Sequence, residues 1–95
     1  MIILGIDPGT GRTGWGVISS TPLEKIKQRI VYVAHGCIVT TQIDVMERRL
    51  HILHDNINEL ISSHKPDCVI IEHIFFGRNV KTAISVSQAR GVIML

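Results

Sequence analysis

Residues 2–7 (IILGID) are apolar almost throughout and end on Asp7, the pattern of a strand buried on both faces. Pro8 stops the run, and a glycine-rich stretch, DPGTGRTG, follows. Residues 14–19 (GWGVIS) predict a second strand joined to the first by a tight turn. The polar, proline-containing stretch 21–28 (TPLEKIKQ) reads as a hairpin loop. Residues 29–40 (RIVYVAHGCIVT) read as a long third strand, with Gly36 marking a bulge. The period then changes. Met46, Leu50, Leu53, Ile57, Leu60 and Ile61 recur every three or four residues, one apolar stripe of a helix. Asp44 and Glu47 have the D-x-x-E spacing of a helix start, with both acids near the positive end of the helix dipole. Pro66 ends that helix, since the residue before a proline avoids the helical region. Residues 67–72 (DCVIIE) predict a fourth strand, residues 73–78 (HIFFGR) a loop, and Asn79 the N-cap of a last helix over 80–95.

The order β-β-β-α-β-α predicts an α/β fold with a mixed sheet. Three strands joined by short turns make antiparallel neighbours, and the helix crosses over to a strand parallel to the first. Asp7 and Glu72 then end two parallel strands at one sheet edge, where ligands of open α/β sheets bind. Two carboxylates held together repel unless a proton or cation lies between them. A hard cation such as Mg²⁺ accepts such oxygen ligands and serves phosphoryl transfer. The competing reading is structural: Asp7 caps the Gly9–Thr10 turn and Glu72 pairs with a nearby arginine. Glycines 9, 11, 14 and 16 likewise either admit a phosphate to the backbone or relieve a tight turn. There is no G-x-x-x-x-G-K-[ST], so this is not a P-loop.

Composition narrows the class. The chain has 95 residues, 45% hydrophobic and 19% charged, with a net charge of +2, which suits one small globular domain. Residues 73–95 carry Arg78, Lys81 and Arg90 and no acid. Cys37 and Cys68 lie in apolar runs without metal-ligand spacing, as reduced core thiols of a cytoplasmic protein would. No signal peptide or membrane-spanning run is evident. The final stretch, SVSQARGVIML, shows no helix stop signal, so a fragment of a longer chain is expected. His51 and His54 read as surface residues, because no third ligand is in view. His73 reads as structural and Trp15 as packing. Phe75 and Phe76, adjacent in a loop beside basic residues, offer either a ring for stacking on an unpaired base or a packed loop.

Taken together, GIDPGTGRTGWGVI, GCIVT at 36–40 and IIEHIFFGRNVKTAISVSQARG at 70–91 resemble the RuvC family of Holliday-junction resolvases. The run I-D-P-G-T alone also resembles the first phosphate loop of actin-like ATPases. The segment Glu72, Phe75 and Asn79 running into QARG at 88–91 is more specific. The resemblance implies a ribonuclease-H-like mixed sheet and a homodimer that nicks four-way junction DNA symmetrically with Mg²⁺ or Mn²⁺. A complex with a branch-migration helicase is also implied. Asp7 and Glu72 match the first two catalytic, metal-binding carboxylates. Phe75 matches the aromatic set against unstacked junction bases, and Arg78, Asn79 and Lys81 match the DNA-contacting segment. The family's third and fourth carboxylates come from a downstream D-x-x-D, which these residues do not include. The chain therefore reads as the N-terminal part of one nuclease domain, inactive by itself. A DNA- or partner-binding module without catalysis, and a nucleotide-binding module, are the other readings.

Overall fold

The computed structural model describes residues 1–22, 28–74 and 80–95, with side chains described for 1–21, 29–74 and 82–95. Strands β1 (Ile2–Asp7), β2 (Arg12–Pro22) and β3 (Gln28–Val39) precede helix α1 (Met46–His64). Strand β4 (Cys68–Ile71) and helix α2 (Val80–Met94) follow. The strands form one sheet in the order β3-β2-β1-β4, with β1 antiparallel to β2 and parallel to β4.

One face of this sheet carries the core. Leu4 and Ile6 of β1 alternate inward, as a period of two requires, and register with Val17 and Trp15 of β2. They meet Ile38 of β3, Leu53 and Ile57 of α1, and Ala89 and Ile93 of α2. Leu50, Leu60 and Ile71 pack at the margin of the same cluster. The apolar stripe of α1 is thus the buried face that its spacing predicts. In α2, the small Ala83 and Ala89 are buried together with Ile93, and their small size lets the helix lie close to its neighbours.

Several sequence expectations are corrected. The second strand extends beyond 14–19, and the hairpin ladder reaches the pair Pro22↔Gln28, because the β-branched Val31 and Ile30 carry the third strand on opposite Ser19 and Ser20. The bulge is not at Gly36. The register steps from Val17↔Ala34 to Ile18↔Tyr32, which leaves Val33 as the extra residue. Gly36 is small for another reason: the indole of Trp15 lies over it, and a Cβ there would stand 2.7 Å from Cζ2.

Asp44 is not the cap of α1. Val45 holds the N-cap position without a side-chain bond, and Asp44 instead faces Arg48 at 3.7 Å. Cys37 and Cys68 are free but exposed, not core thiols. Alternation puts both on the sheet face opposite the helices, and β4 is an edge strand. The proposed cap Asn79 lies outside the described residues.

α1 ends where Pro66 demands. Lys65 takes the left-handed conformation (φ 47, ψ 57), and its N–H donates to the carbonyl of Ile61 at 2.8 Å. A side chain is strained in that region and glycine is not. Lys65→Gly is therefore expected to stabilise the fold by about 0.5–1 kcal/mol, read as a higher urea midpoint at unchanged slope. A lower midpoint would show that the lysine stem does more there than its backbone costs.

Candidate metal and nucleic-acid site

The parallel pairing of β1 with β4 decides the site. Ile6 registers with Ile71, and the N–H of Glu72 donates to the carbonyl of Ile6 at 2.9 Å. One step further, Asp7 and Glu72 are neighbours, and registered residues of a parallel pair share a sheet face. Both side chains are exposed at this edge. They interact directly. A hydrogen bond to the Asp7 carboxylate, then that group's negative charge, hold the Glu72 carboxyl above the usual carboxylate range. On the other flank of Asp7 stands Gly14, its partner in the β1–β2 ladder, which leaves the carboxylate unobstructed.

The structural alternatives are not what the described residues display. The turn after Asp7 is closed by Thr13, almost wholly buried, whose hydroxyl donates to the carbonyl of Gly9 at 2.8 Å and accepts from the N–H of Gly9 at 3.3 Å. A Cβ on Gly9 would collide with the carbonyl of Arg12, so that glycine serves the turn itself. Among the described residues no ion pair involves Asp7 or Glu72. Two exposed hard-oxygen donors side by side, each raising the cost of the other's negative charge, suit Mg²⁺ or Mn²⁺.

Among the described residues no other acid joins them. Asp67 lies at the opposite end of β4, where its carboxylate accepts from the N–H of Ile2 at 2.7 Å. Asp44 faces Arg48, and Asp55 faces His51 at 3.4 Å and His54 at 3.8 Å. His51 and His54 thus belong to the surface of α1, as expected for a pair without a third ligand. Among the described residues no group of three or more metal-ligating side chains occurs. His73 is exposed beyond the end of β4, and Trp15 is half-buried against His64, with ring centroids 5.9 Å apart. Phe75, Phe76, Arg78 and Asn79 lie outside the described residues. Lys81 falls in the first turn of α2, with its side chain outside them too. Among the described residues no helix is long and apolar enough to cross a membrane.

The sequence reading missed a set of hydroxyls around the Asp7 turn. Thr40 donates its hydroxyl to the carbonyl of Thr10, and its N–H reaches the carbonyl of Gly11 at 3.0 Å. Arg49 donates to that hydroxyl at 3.0 Å, and the hydroxyls of Thr10 and Ser85 meet at 3.1 Å. Bonds from side chains to scattered carbonyls follow no period, so no sequence signal marks them.

The raised Glu72 carboxyl has a consequence for stability. The folded state binds this proton more tightly than the unfolded chain does. Its favourable contribution is present at acid pH and is lost as pH rises through the raised value. Glu72→Gln is expected to raise the urea midpoint at pH 7 in the presence of a chelator. The gap should close as pH falls through the carboxylate range. A gap that widens on acidification would contradict the paired arrangement.

Comparison with known proteins agrees with this architecture. The family model described as "Crossover junction endodeoxyribonuclease RuvC" matches residues 3–95. The protein of that name from Dictyoglomus thermophilum is 41% identical over 95 residues, covering 100% of this chain and 57% of the relative. The chain spans about half the length of the curated relatives it matches. The Thermus thermophilus RuvC structure superposes with a TM-score of 0.86 at 26% identity, over 99% of this chain and 55% of that one. T. thermophilus RuvC in complex with Holliday junction substrate gives the same TM-score of 0.86 at 23% identity, over 99% and 57% of the two chains. The sheet and helices described above are therefore those of a ribonuclease-H-like fold, and the chain belongs to the RuvC family of crossover junction endodeoxyribonucleases.

Proposed function

We propose that this chain carries the first half of the active centre of an endonuclease that resolves four-way DNA junctions. The carrying observation is the pairing of Asp7 with Glu72 at one sheet edge, in a chain whose family model matches residues 3–95. Asp7 and Glu72 would hold Mg²⁺ or Mn²⁺, which would activate a water and stabilise charge on the phosphate under attack. The chain's own part is positioning. β1 is a stalk buried at Leu4 and Ile6, and Glu72 is tied to it through the carbonyl of Ile6, so both carboxylates arrive prepared for a cation. Phe75 stacks on an unpaired junction base, while Arg78, Asn79 and Lys81 take neighbouring phosphates. The remaining carboxylates come from the downstream D-x-x-D of the family pattern. The enzyme works as a homodimer in the cytoplasm, beside a branch-migration helicase.

The test is single-turnover nicking by the full-length protein of a mobile four-way junction and of a linear duplex. Paired nicks on the junction, absent from the duplex and suppressed by a chelator, are expected. Equal cutting of both substrates, or cutting unaffected by a chelator, would overturn the reading.

A further inference from the structure

We infer that Arg49 and Thr40 are positioning residues of the metal site: together they clamp the Gly9–Gly11 turn that follows Asp7. This inference rests on the reading of Asp7 and Glu72 as cation ligands and extends it to residues outside that pair.

The directions of the hydrogen bonds follow from counting protons. The Thr40 hydroxyl has one proton, and it goes to the carbonyl of Thr10. One of its two lone pairs accepts the Nε–H of Arg49 at 3.0 Å. The Thr40 N–H takes the next carbonyl, that of Gly11, at 3.0 Å. The Thr13 hydroxyl takes the one before, that of Gly9, at 2.8 Å. Three consecutive carbonyls of the turn are thereby fixed. On its other side, Ser85 of α2 gives its proton to the carbonyl of Thr82 at 3.0 Å, so the Thr10 hydroxyl must donate to Ser85 across 3.1 Å. The turn is held between α1 and α2.

Burial makes these bonds matter. Thr40 is 8% exposed and Thr13 is 1% exposed, so both hydroxyls would be costly to leave unpaired. The charge of Arg49 is not committed to an acid among the described residues, whereas its neighbour Arg48 faces Asp44. Arg49 acts on the turn through Thr40 rather than by a bond of its own. Its Nη2 lies 3.7 Å from where a Cβ on Gly11 would stand. A turn free to shift would let Asp7 swing away from Glu72, as ligands lose affinity when the groups that orient them are removed.

The experiment follows Mn²⁺ binding to the full-length protein by electron paramagnetic resonance, with amide exchange of Thr40 measured alongside. Arg49→Leu and Thr40→Val are each expected to weaken Mn²⁺ binding roughly tenfold, the low end for loss of an orienting partner. Their double variant should be little worse than either single, because they act through one chain of bonds. Arg49→Lys, which can still donate to Thr40, should bind Mn²⁺ within about twofold of the native protein. The Thr40 amide should exchange faster in Arg49→Leu and not in Arg49→Lys. Thr40→Val keeps the side-chain shape and tests the same link should Arg49→Leu fail to fold. Folded variants that bind Mn²⁺ as the native protein does, whatever their melting temperatures, would overturn the inference. If Asp7→Asn also leaves Mn²⁺ binding intact, the metal-site reading itself falls, and the positioning role falls with it.

Discussion

Asp7→Asn is expected to lower single-turnover nicking of a four-way junction by the full-length protein roughly a thousandfold. A bound cation contributes several kcal/mol to the charged transition state of phosphoryl transfer, and each ~1.4 kcal/mol is tenfold in rate. Asparagine keeps the shape of the side chain but offers a neutral oxygen where the cation needs an anionic one. The fold has no reason to suffer, since Asp7 is exposed and its strand is anchored by Leu4 and Ile6. Junction affinity should hold or rise slightly, because a negative charge is removed beside DNA phosphates. The check is nicking rate against junction binding for the same preparation. A rate within tenfold of the native protein would show that Asp7 is not a ligand the reaction depends on.

Phe75→Ala is expected to lower nicking about 5- to 150-fold with much less change in junction affinity. Opening a base step costs a few kcal/mol, and an aromatic ring stacked on the freed base returns ~1–3 kcal/mol. That return is collected only once the step has opened, so it appears in the rate. Affinity rests mainly on phosphate contacts. Arg78→Ala should do the reverse: it weakens binding and flattens the dependence of log affinity on log salt by about one unit. Binding across a salt series, with nicking alongside, separates the two. Phe76→Ala is the control. Loss of nicking there, with Phe75→Ala unaffected, would assign the stacking ring to the wrong residue.

The carboxylate pair was legible because it follows from two strand ends and one rule. An all-apolar run ending on Asp7, a second ending on Glu72, and a helical crossover between them bring both acids to one edge. The helical stripe of α1 and its stop at Pro66 were legible for a similar reason, since period and proline act locally. What escaped depends on the third dimension. Cys37 and Cys68 look like core residues in the one-dimensional pattern, yet each sits on the sheet face that the helices do not cover. The bulge at Val33 arises from register across the hairpin, and the small residue that suggested Gly36 instead answers the ring of Trp15. The cap at Asp44 fails because the helix begins at Met46, which puts Val45 and not Asp44 at the N-cap position. Thr10, Thr13, Thr40, Arg49 and Ser85 converge from five places in the chain, and nothing in their spacing announces it.

The central claim is that Asp7 and Glu72 form one cation site. Its most direct test is a double-mutant cycle on Mn²⁺ binding with the native protein, Asp7→Asn, Glu72→Gln and the double variant. If both carboxylates hold one ion, each single change weakens binding by about tenfold or more, and the double is far less damaging than the product of the singles. Native-like Mn²⁺ binding in either single variant, or losses that simply multiply, would contradict the account.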